Sequence, residues 1–237
     1  MVRRRPELVK GISVNRAVKE EVDSDFAIQD AISRDYANLS ALSRLLAPKI
    51  AKRMKVRPRD VRAVGVTSAL KRLRDQYSAE SPSVAKVIAG SIVNIRTHVS
   101  RLSVEKTKRT LQTVGALLGA HHEDFIQVSE SLSSITLIFD QRLHGMVRRA
   151  LGSAEILEEG EECAAITVQS PRAIIGTPGC VSSFYDQLSR KNVNVVDTVS
   201  CFTDTIMVVS MKDASRAFEA LTELISEDQR KLEENSG

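Results

Sequence analysis

The sequence predicts an α+β fold in which a small, basic helical domain precedes two βαββαβ units. Three observations support this prediction: helical periodicity across residues 1–80, an uneven distribution of charge, and a similarity between two later segments. The chain has 237 residues, of which 42% are hydrophobic, enough for more than one small core. No segment approaches the roughly 20 apolar residues that a membrane-spanning helix needs, so no membrane partner is expected.

Charge is divided unequally along the chain. Residues 1–75 hold 18 Lys and Arg against 9 Asp and Glu, whereas residues 76–237 hold 16 against 21. This asymmetry predicts two domains with different partners, of which the basic one is suited to polyanions. The 3 cysteines show no CxxC spacing, so neither a disulfide framework nor a zinc site is expected. A cytoplasmic location and no cofactor are therefore predicted.

The segment 1–80 is predicted to form helices. Ile28 and Ile32 recur at helical spacing, and Asn38 is a favourable N-cap for a second helix. Pro48 disfavours helical backbone at the residue before it, so this second helix is expected to stop or kink there. A third helical stretch opens at Pro58. Several short helices in sequence are compatible with a helix-turn-helix variant, which is one interpretation of this domain.

A dense group of cations lies in this helical domain. Ten basic residues and one acidic residue lie between Lys49 and Arg74. If this surface binds duplex DNA, its cations contact phosphates and release counterions. A solvated basic face explains the same density, and no aromatic stacking platform accompanies it, so both interpretations stay open. The candidate phosphate-contacting residues are Lys52, Arg53, Lys55, Arg57, Arg59 and Arg62.

The rest of the chain contains two similar segments. Aligning the sequence with itself at a single offset, without a gap, places Ile95 on Ile166 and Leu117 on Leu188. Each segment is predicted to run strand, helix, strand, strand, helix, and residues 154–170 are expected to supply a fourth strand to the first unit. The economical architecture is a pair of ferredoxin-like βαββαβ units. The predicted boundaries are 1–80 for the basic helical domain, 88–160 and 161–228 for the two units, and 229–237 for a frayed tail. Within the first of these two units, a strand is predicted near residues 91–100 and a helix near 103–119.

The second unit carries a local signature. The strand Ala165–Val168 leads through Thr177-Pro178-Gly179 into a helix, and Asn192-Val-Asn-Val-Val-Asp197 opens the next strand. This region, about 165–225, resembles the ACT domain, a small amino-acid-sensing module, and in particular the tandem regulatory modules of aspartate kinases. The corresponding turn of the first unit, Lys106-Thr107-Lys108, departs from this pattern. The resemblance therefore implies a ligand site on the second unit, and the first looks like a degenerate partner.

The turn before the second unit's first helix is the candidate ligand site. A Pro-Gly turn leaves backbone N–H groups facing a concavity with the positive helix end behind them, which suits the carboxylate of an amino acid. Gly179 also permits a positive φ. A tight strand–helix connection without a ligand explains the same turn, and that alternative stays open. The candidate ligand-binding residues are Gly176, Thr177, Pro178, Gly179, Asn192, Asn194, Asp197, Ser200 and Asp204.

The sequence contains no Walker loop, GxSxG motif, dinucleotide fingerprint or convergent catalytic set. The segment before the paired units is too short for a kinase domain, so no enzyme activity is expected. The resemblance instead implies a regulator that senses an amino-acid effector, and the basic character of the helical domain joined to it predicts DNA binding and control of transcription. The alternative is a detached regulatory subunit of a biosynthetic enzyme such as an aspartate kinase, acting by protein docking. Open sheet edges predict at least a homodimer.

Overall fold

The structure, a computed structural model, describes residues 12–234, without the side chains of residues 78–82. The chain divides into two compact units, Met1–Ser83 and Val84–Gly237. Residues 1–11 of the predicted helical domain and residues 235–237 of the predicted tail lie outside the described part. No helix within that part combines the length and the apolar character needed to cross a bilayer.

The first unit is a group of helices around an apolar core that includes Ile32, Leu46 and Leu70. Asn38 caps the third helix as predicted, because its side-chain oxygen accepts a hydrogen bond from the N–H of Ala41 at 3.0 Å. The helices are α1 (Val14–Asp23), α2 (Phe26–Ser33), α3 (Leu39–Met54) and α4 (Ala63–Ala89), with a 3-10 turn at Pro58–Asp60. The residues of α4 from Val84 onward belong to the second unit.

Pro48 does not end the third helix, so of the stop or kink predicted there, the stop does not occur. Helix α3 runs without interruption from Leu39 to Met54. A proline inside a helix removes one hydrogen bond and crowds the preceding turn. The side chains of Leu46 and Ile50, on either side of Pro48, are both 0% exposed. Burial of such side chains stabilises by about 1.5–3 kcal/mol each, which offsets the cost of the proline.

The second unit is built on a six-stranded antiparallel sheet with the strand order β2-β3-β1-β4-β6-β5. Helices pack on one face of it, so the predicted α+β architecture with βαββαβ units is confirmed. The elements are β1 (Ile92–Glu105), α5 (Lys108–Ala120), β2 (Ile126–Glu130), β3 (Ser134–Asp140), α6 (His144–Leu151), β4 (Ile156–Gln169), α7 (Cys180–Arg190), β5 (Val195–Cys201), β6 (Asp204–Ser210) and α8 (Ala214–Glu234).

The two long central strands, β1 and β4, each contribute to both βαββαβ units. The first unit comprises the C-terminal half of β1, then α5, β2, β3, α6 and the N-terminal half of β4. The second begins with the C-terminal half of β4 and continues through α7, β5, β6 and α8. Its fourth strand is the N-terminal half of β1. Residues 154–170 thus supply a strand to each unit, as predicted.

A bulge in the middle of each long strand separates its two halves. His98 in β1 and Glu162 in β4 both have left-handed backbone, with φ of 54° and 56°. The register between the strands shifts on either side of the pair formed by Val99 and Cys163. A bulge re-aims the side chains that follow it. Accordingly, β1 is exposed just before the bulge and buried after it as far as Val104.

The sequence alignment of the two units holds from the first helix of each unit onward but fails for the first strands. Ile95 lies in the fourth strand of the second unit, and Ile166 lies in the first strand of that unit, so their predicted equivalence is wrong. The bulges instead match His98 with Glu162, at a smaller offset. The difference arises because the connection from β1 to α5 is much shorter than the connection from β4 to α7.

Two element boundaries also differ from the prediction. Strand β1 continues to Glu105 instead of ending near residue 100, and helix α5 begins correspondingly later. Helix α8 extends to Glu234 through most of the predicted frayed tail. The side chain of Gln229 donates a hydrogen bond to the carbonyl oxygen of Ala89 at 2.9 Å, and Asp228 beside it is buried. These contacts hold the last turns of α8 in place.

The sheet face away from the helices carries a small apolar cluster of its own. Val99, Ile138, Ala165, Ile206 and Val208 form it. Successive residues of a strand point to opposite faces, and the neighbours of these residues along each strand pack beneath the helices. The cluster joins strands of both βαββαβ units on this face.

Candidate functional site

The Thr-Pro-Gly turn lies between β4 and α7. Gly179 is the N-cap residue of α7 and has φ +96°, so the predicted positive φ is confirmed. This conformation is strongly disfavoured for residues with a side chain. No side chain among the described residues caps the helix. The first N–H groups of α7 therefore lack the side-chain acceptor that most helix starts have.

The backbone beside this turn is open. The hydroxyl of Thr177 donates to the carbonyl oxygen of Ala173 at 2.8 Å, which closes the 3-10 turn at Arg172–Gly176. A Cβ atom on Gly176 would meet no atom within 4 Å. Gly176 thus presents backbone that a small molecule can approach closely, whereas at Gly179 the side chain of Val84 lies 3.6 Å from the place that a Cβ atom would take.

Ser200 and Asp204 lie at the same end of the sheet as the turn. Asp204 pairs with Gln169, the last residue of β4, across the ladder between β4 and β6. Ser200 pairs with Thr205, one residue along β6. The hairpin that joins β5 to β6 therefore neighbours the start of the Thr-Pro-Gly connection, and the N–H of Ser170 donates to the carbonyl oxygen of residue 203 there.

Asn192 and Asn194 lie at the opposite end of the sheet. Both precede β5, which begins at Val195 opposite Val209, near the last residue of β6. Strands rise about 3.3 Å per residue, so a strand of this length puts roughly 20 Å between the two ends. The structure therefore does not bring these two amides together with the Thr-Pro-Gly turn. A single amino acid bound at the turn is too short to reach Asn192 or Asn194 of the same chain, as their predicted role requires.

Asp197 occupies a third place, beside a buried arginine. Its carboxylate oxygen lies 3.7 Å from a terminal guanidinium nitrogen of Arg101. The Arg101 side chain is 11% exposed and makes a two-pronged ion pair with Glu158. Its Nε is buried and has no hydrogen-bond partner among the described residues. The predicted ligand residue Asp197 is thus already paired with a cation of the chain, Arg101, which the sequence did not indicate.

The charge of Arg101 changes the titration of its neighbours. Its hydrogen bonds hold the pKa of the Glu158 carboxyl below its usual value. Burial raises the pKa of the Cys163 thiol, and the nearby Arg101 opposes that rise. Cys163 is therefore a buried neutral thiol at neutral pH, without the lowered pKa that reactive cysteines need.

A polar cavity of about 640 Å³ lies at the Asn192 end of the sheet. The ion pair between Asp213 and Arg216 lies in its wall. Lys212 stands beside this pair, and its ammonium makes no hydrogen bond or ion pair with the rest of the described chain. Sequence interpretation missed these three residues. The cavity is lined by Ser189, Asn192, Val193, Asn194, Lys212, Asp213 and Arg216.

A second cavity, also about 640 Å³, lies along β1 and β4. Its arginine and amide side chains are already paired. Arg96 lies 4.8 Å from the ring centre of Phe125 and 3.0 Å from a carboxylate oxygen of Asp140. The side chain of Asn94 donates to that of Gln169 at 3.2 Å. This cavity leaves few groups for a ligand.

Two of the six predicted phosphate-contacting residues are engaged within the first unit. Arg53 lies 2.8 Å from a carboxylate oxygen of Glu21, and Arg57 lies 3.0 Å from one of Asp60. The other four are exposed and have no ion-pair partner in the part of the chain that the structure describes. These four are Lys52, Lys55, Arg59 and Arg62.

The fold and the turn define an α+β protein with paired ferredoxin-like units and a glycine turn at the start of one helix. Residues 158–223 match the family model of the ACT domain. The resemblance predicted for about 165–225 is therefore confirmed. A search of curated protein sequences finds no match.

Solved structures of aspartate kinases and their regulatory subunits are similar to part of this chain. Aspartate kinase from Synechocystis is 15% identical with a TM-score of 0.50, covering 58% of this chain and 27% of that one. Aspartate kinase from Clostridium acetobutylicum is 14% identical with a TM-score of 0.47, covering 56% of this chain and 34% of that one. The ligand-free regulatory subunit of aspartate kinase from Thermus thermophilus is 10% identical with a TM-score of 0.47, and the match covers 56% of this chain and 95% of that one.

This chain thus spans about a third of the length of the clostridial enzyme. At such identities the likeness concerns the fold, and the Synechocystis match supports the paired βαββαβ architecture.

Proposed function

We propose that this chain is a non-catalytic regulatory protein whose second βαββαβ unit binds a small amino-acid effector. The observation that carries the proposal is the left-handed Gly179 at the uncapped start of α7, inside the segment that matches the ACT domain. A carboxylate in front of α7 accepts its free N–H groups and benefits from the helix dipole. Ser200 and Asp204, at the same end of the sheet, offer partners for an α-amino group.

The test is a thermal-shift screen of the full chain against the twenty amino acids. A ligand that binds the native state at 100 times its dissociation constant adds about 2.7 kcal/mol to stability. We expect one amino acid to raise the melting temperature of the parent and to leave that of Gly176→Val unchanged. The branched side chain fits without strain, because nothing lies within 4 Å of its Cβ, but it covers the backbone that the ligand must approach.

Gly160→Val is the matched control. Gly160 lies in β4, two residues before the bulge at Glu162. A Cβ atom on Gly160 would meet its nearest atom, the Cys163 sulfur, at 4.0 Å. This variant should retain the full response to the effector. A parent that responds to none of the amino acids contradicts the proposed function, and an equal response of the parent and Gly176→Val contradicts the site. Gly179→Val is a poorer probe, because its φ of +96° costs a branched residue about 1–3 kcal/mol.

Assembly is the second expected property of this unit. Strands β2 and β5 are the two edges of the six-stranded sheet, and each leaves backbone N–H and C=O groups free to pair with another chain. We expect light scattering at micromolar concentration to give at least twice the 26.1 kDa mass of one chain. A single species of 26.1 kDa contradicts this prediction.

The first unit supports a second candidate function, the binding of duplex DNA. The supporting observation is the exposed, unpaired state of Lys52, Lys55, Arg59 and Arg62 among the described residues. Four such cations on one short stretch are suited to phosphate contacts. DNA binding would make the protein an effector-dependent transcription regulator. Docking on a biosynthetic enzyme is the alternative use of this surface.

A further inference from the structure

We propose that the α8 cavity binds a small metabolite through an oxyanion, a carboxylate or a phosphate group. The α8 cavity is the one defined above by Asn192, Asn194, Lys212 and Arg216 with their neighbours. It lies at the end of the sheet opposite the Thr-Pro-Gly turn, so it is a separate site. Its volume of about 640 Å³ falls within the range of cavities that hold small ligands.

The charges that line the cavity are not balanced. Lys212 and Arg216 face a single anion, Asp213. The Asp213 side chain is 9% exposed and is already paired with Arg216. Lys212 is exposed and has neither a hydrogen bond nor an ion pair with any described residue. One positive charge therefore remains at the cavity wall without an internal counter-ion.

The position of Arg216 makes the imbalance costly. Arg216 is the third residue of α8, which begins at Ala214. The helix dipole disfavours a cation in the first turn of a helix. Sequence choices that oppose a local preference tend to mark functional sites. An oxyanion between Lys212 and Arg216 would turn this repulsion into attraction.

Neutral polar groups complete the cavity wall. The side chains of Ser189, Asn192 and Asn194 line it, and none of them hydrogen-bonds to another described residue. Asn192 is left-handed, with φ 54°, a conformation that asparagine tolerates after a helix end. Amides beside a cation pair provide donors and acceptors for the uncharged part of a ligand.

Comparison within the chain supports a ligand in this cavity. In the cavity along β1 and β4, the cation Arg96 is paired with Asp140, whereas the α8 cavity contains Lys212 in addition to the paired Arg216. In the first βαββαβ unit, the sequence alignment of the two units puts Gln141 and Gly145 in place of Lys212 and Arg216. The first unit therefore lacks the cation pair, and the proposed site is specific to the second.

The test is an NMR titration of the ¹⁵N-labelled full chain with inorganic phosphate and, in a separate series, with citrate. We expect saturable shifts of the backbone amides around residues 189–194 and 212–216. Lys212→Met should weaken binding about ten-fold or more, because it removes a charge-assisted contact. Lys212 makes no hydrogen bond or ion pair with any described residue, so its replacement should not disturb the fold.

Lys108→Met is the matched control, since Lys108 is an exposed cation at the start of α5 in the first βαββαβ unit and has no ion pair with any described residue. It should bind both probes as the parent does. Tighter binding of citrate assigns the site to carboxylates, and tighter binding of phosphate assigns it to phosphates. Absence of saturable shifts, or equal weakening by Lys212→Met and Lys108→Met, overturns the proposal. Gly176→Val should keep this site intact, which separates it from the amino-acid effector site.

Discussion

Replacing Arg101 with Met should lower the free energy of unfolding by about 1–2 kcal/mol at neutral pH, because the mostly buried Asp197 loses its counter-ion, whereas Glu158 is 60% exposed and stays solvated without its partner. The Arg101 side chain is 11% exposed, and Asp197, on the edge strand of the second βαββαβ unit, is 18% exposed. Methionine fills a volume similar to that of arginine, so the loss of stability should come mainly from the unpaired carboxylate of Asp197. Denaturant unfolding followed by circular dichroism measures this change in the free energy of unfolding.

Arg142→Met is the control for this experiment. Arg142 also forms an ion pair, with Asp124, but its side chain is 70% exposed. Exposed pairs contribute about 0–1 kcal/mol, so this variant should unfold close to the parent. If Arg101→Met and Arg142→Met lose the same stability, Arg101 does not act as a buried counter-ion.

The effect of Arg101 should also depend on pH. The folded-state pKa of Glu158 lies below its usual value of 4.5, chiefly because Arg101 hydrogen-bonds to the carboxylate. A carboxyl whose folded pKa is depressed contributes its stability above the unfolded pKa and loses it as the pH falls through the folded pKa. The stability curves of the parent and Arg101→Met should therefore lie apart at pH 7 and converge below about pH 4.

The elements of this fold were predictable where the local signals agreed. Asn38 marks the start of α3, and Gly179 marks a left-handed turn, because each residue type favours one local geometry. Helix α1 was missed even though Ser13 caps it and Ala17 and Val22 bury one face. The stop that Pro48 allowed in α3 does not occur, because tertiary burial outweighs the local rule.

The interleaving of the two units was beyond local sequence reasoning. It depends on the long-range pairing of β1 with β4 and on bulges at His98 and Glu162. Neither bulge residue is a glycine, so no turn-forming residue type signals the break. The first strands therefore align at a different offset from the helices, and the sequence comparison assigned Ile95 to the wrong strand.

The candidate sites show the same division. Backbone geometry at Gly179 was readable from one residue, whereas the role of Arg101 depends on Glu158, which lies far along the chain on another strand. Lys212 and Arg216 acquire their interest only because the fold brings them beside Asn192 and Asn194. Charge clusters assembled from distant segments leave no periodic pattern in the sequence.

The four-residue variant Lys52→Ala, Lys55→Ala, Arg59→Ala and Arg62→Ala should abolish most of the salt dependence of DNA binding. Each phosphate contact contributes roughly 0.9 to the slope of log K against log salt, so loss of all four should lower the slope by roughly 3.6. Titration of a fluorescent duplex at several salt concentrations measures it. Replacing all four together leaves the ion pairs of Arg53 and Arg57 intact, which protects the fold of the first unit.

The control is the double variant Lys86→Ala and Lys108→Ala, which removes exposed cations from the second unit. It should bind DNA with the slope of the parent, since only charges at the contact surface release counterions on binding. A four-residue variant that retains the parent slope places the contact elsewhere. A parent that fails to bind duplex DNA at low salt, with and without the effector, rejects the DNA proposal. In that case the exposed cations of the first unit are better explained by docking on an acidic protein surface, where steering is also electrostatic but depends on complementary shape as well.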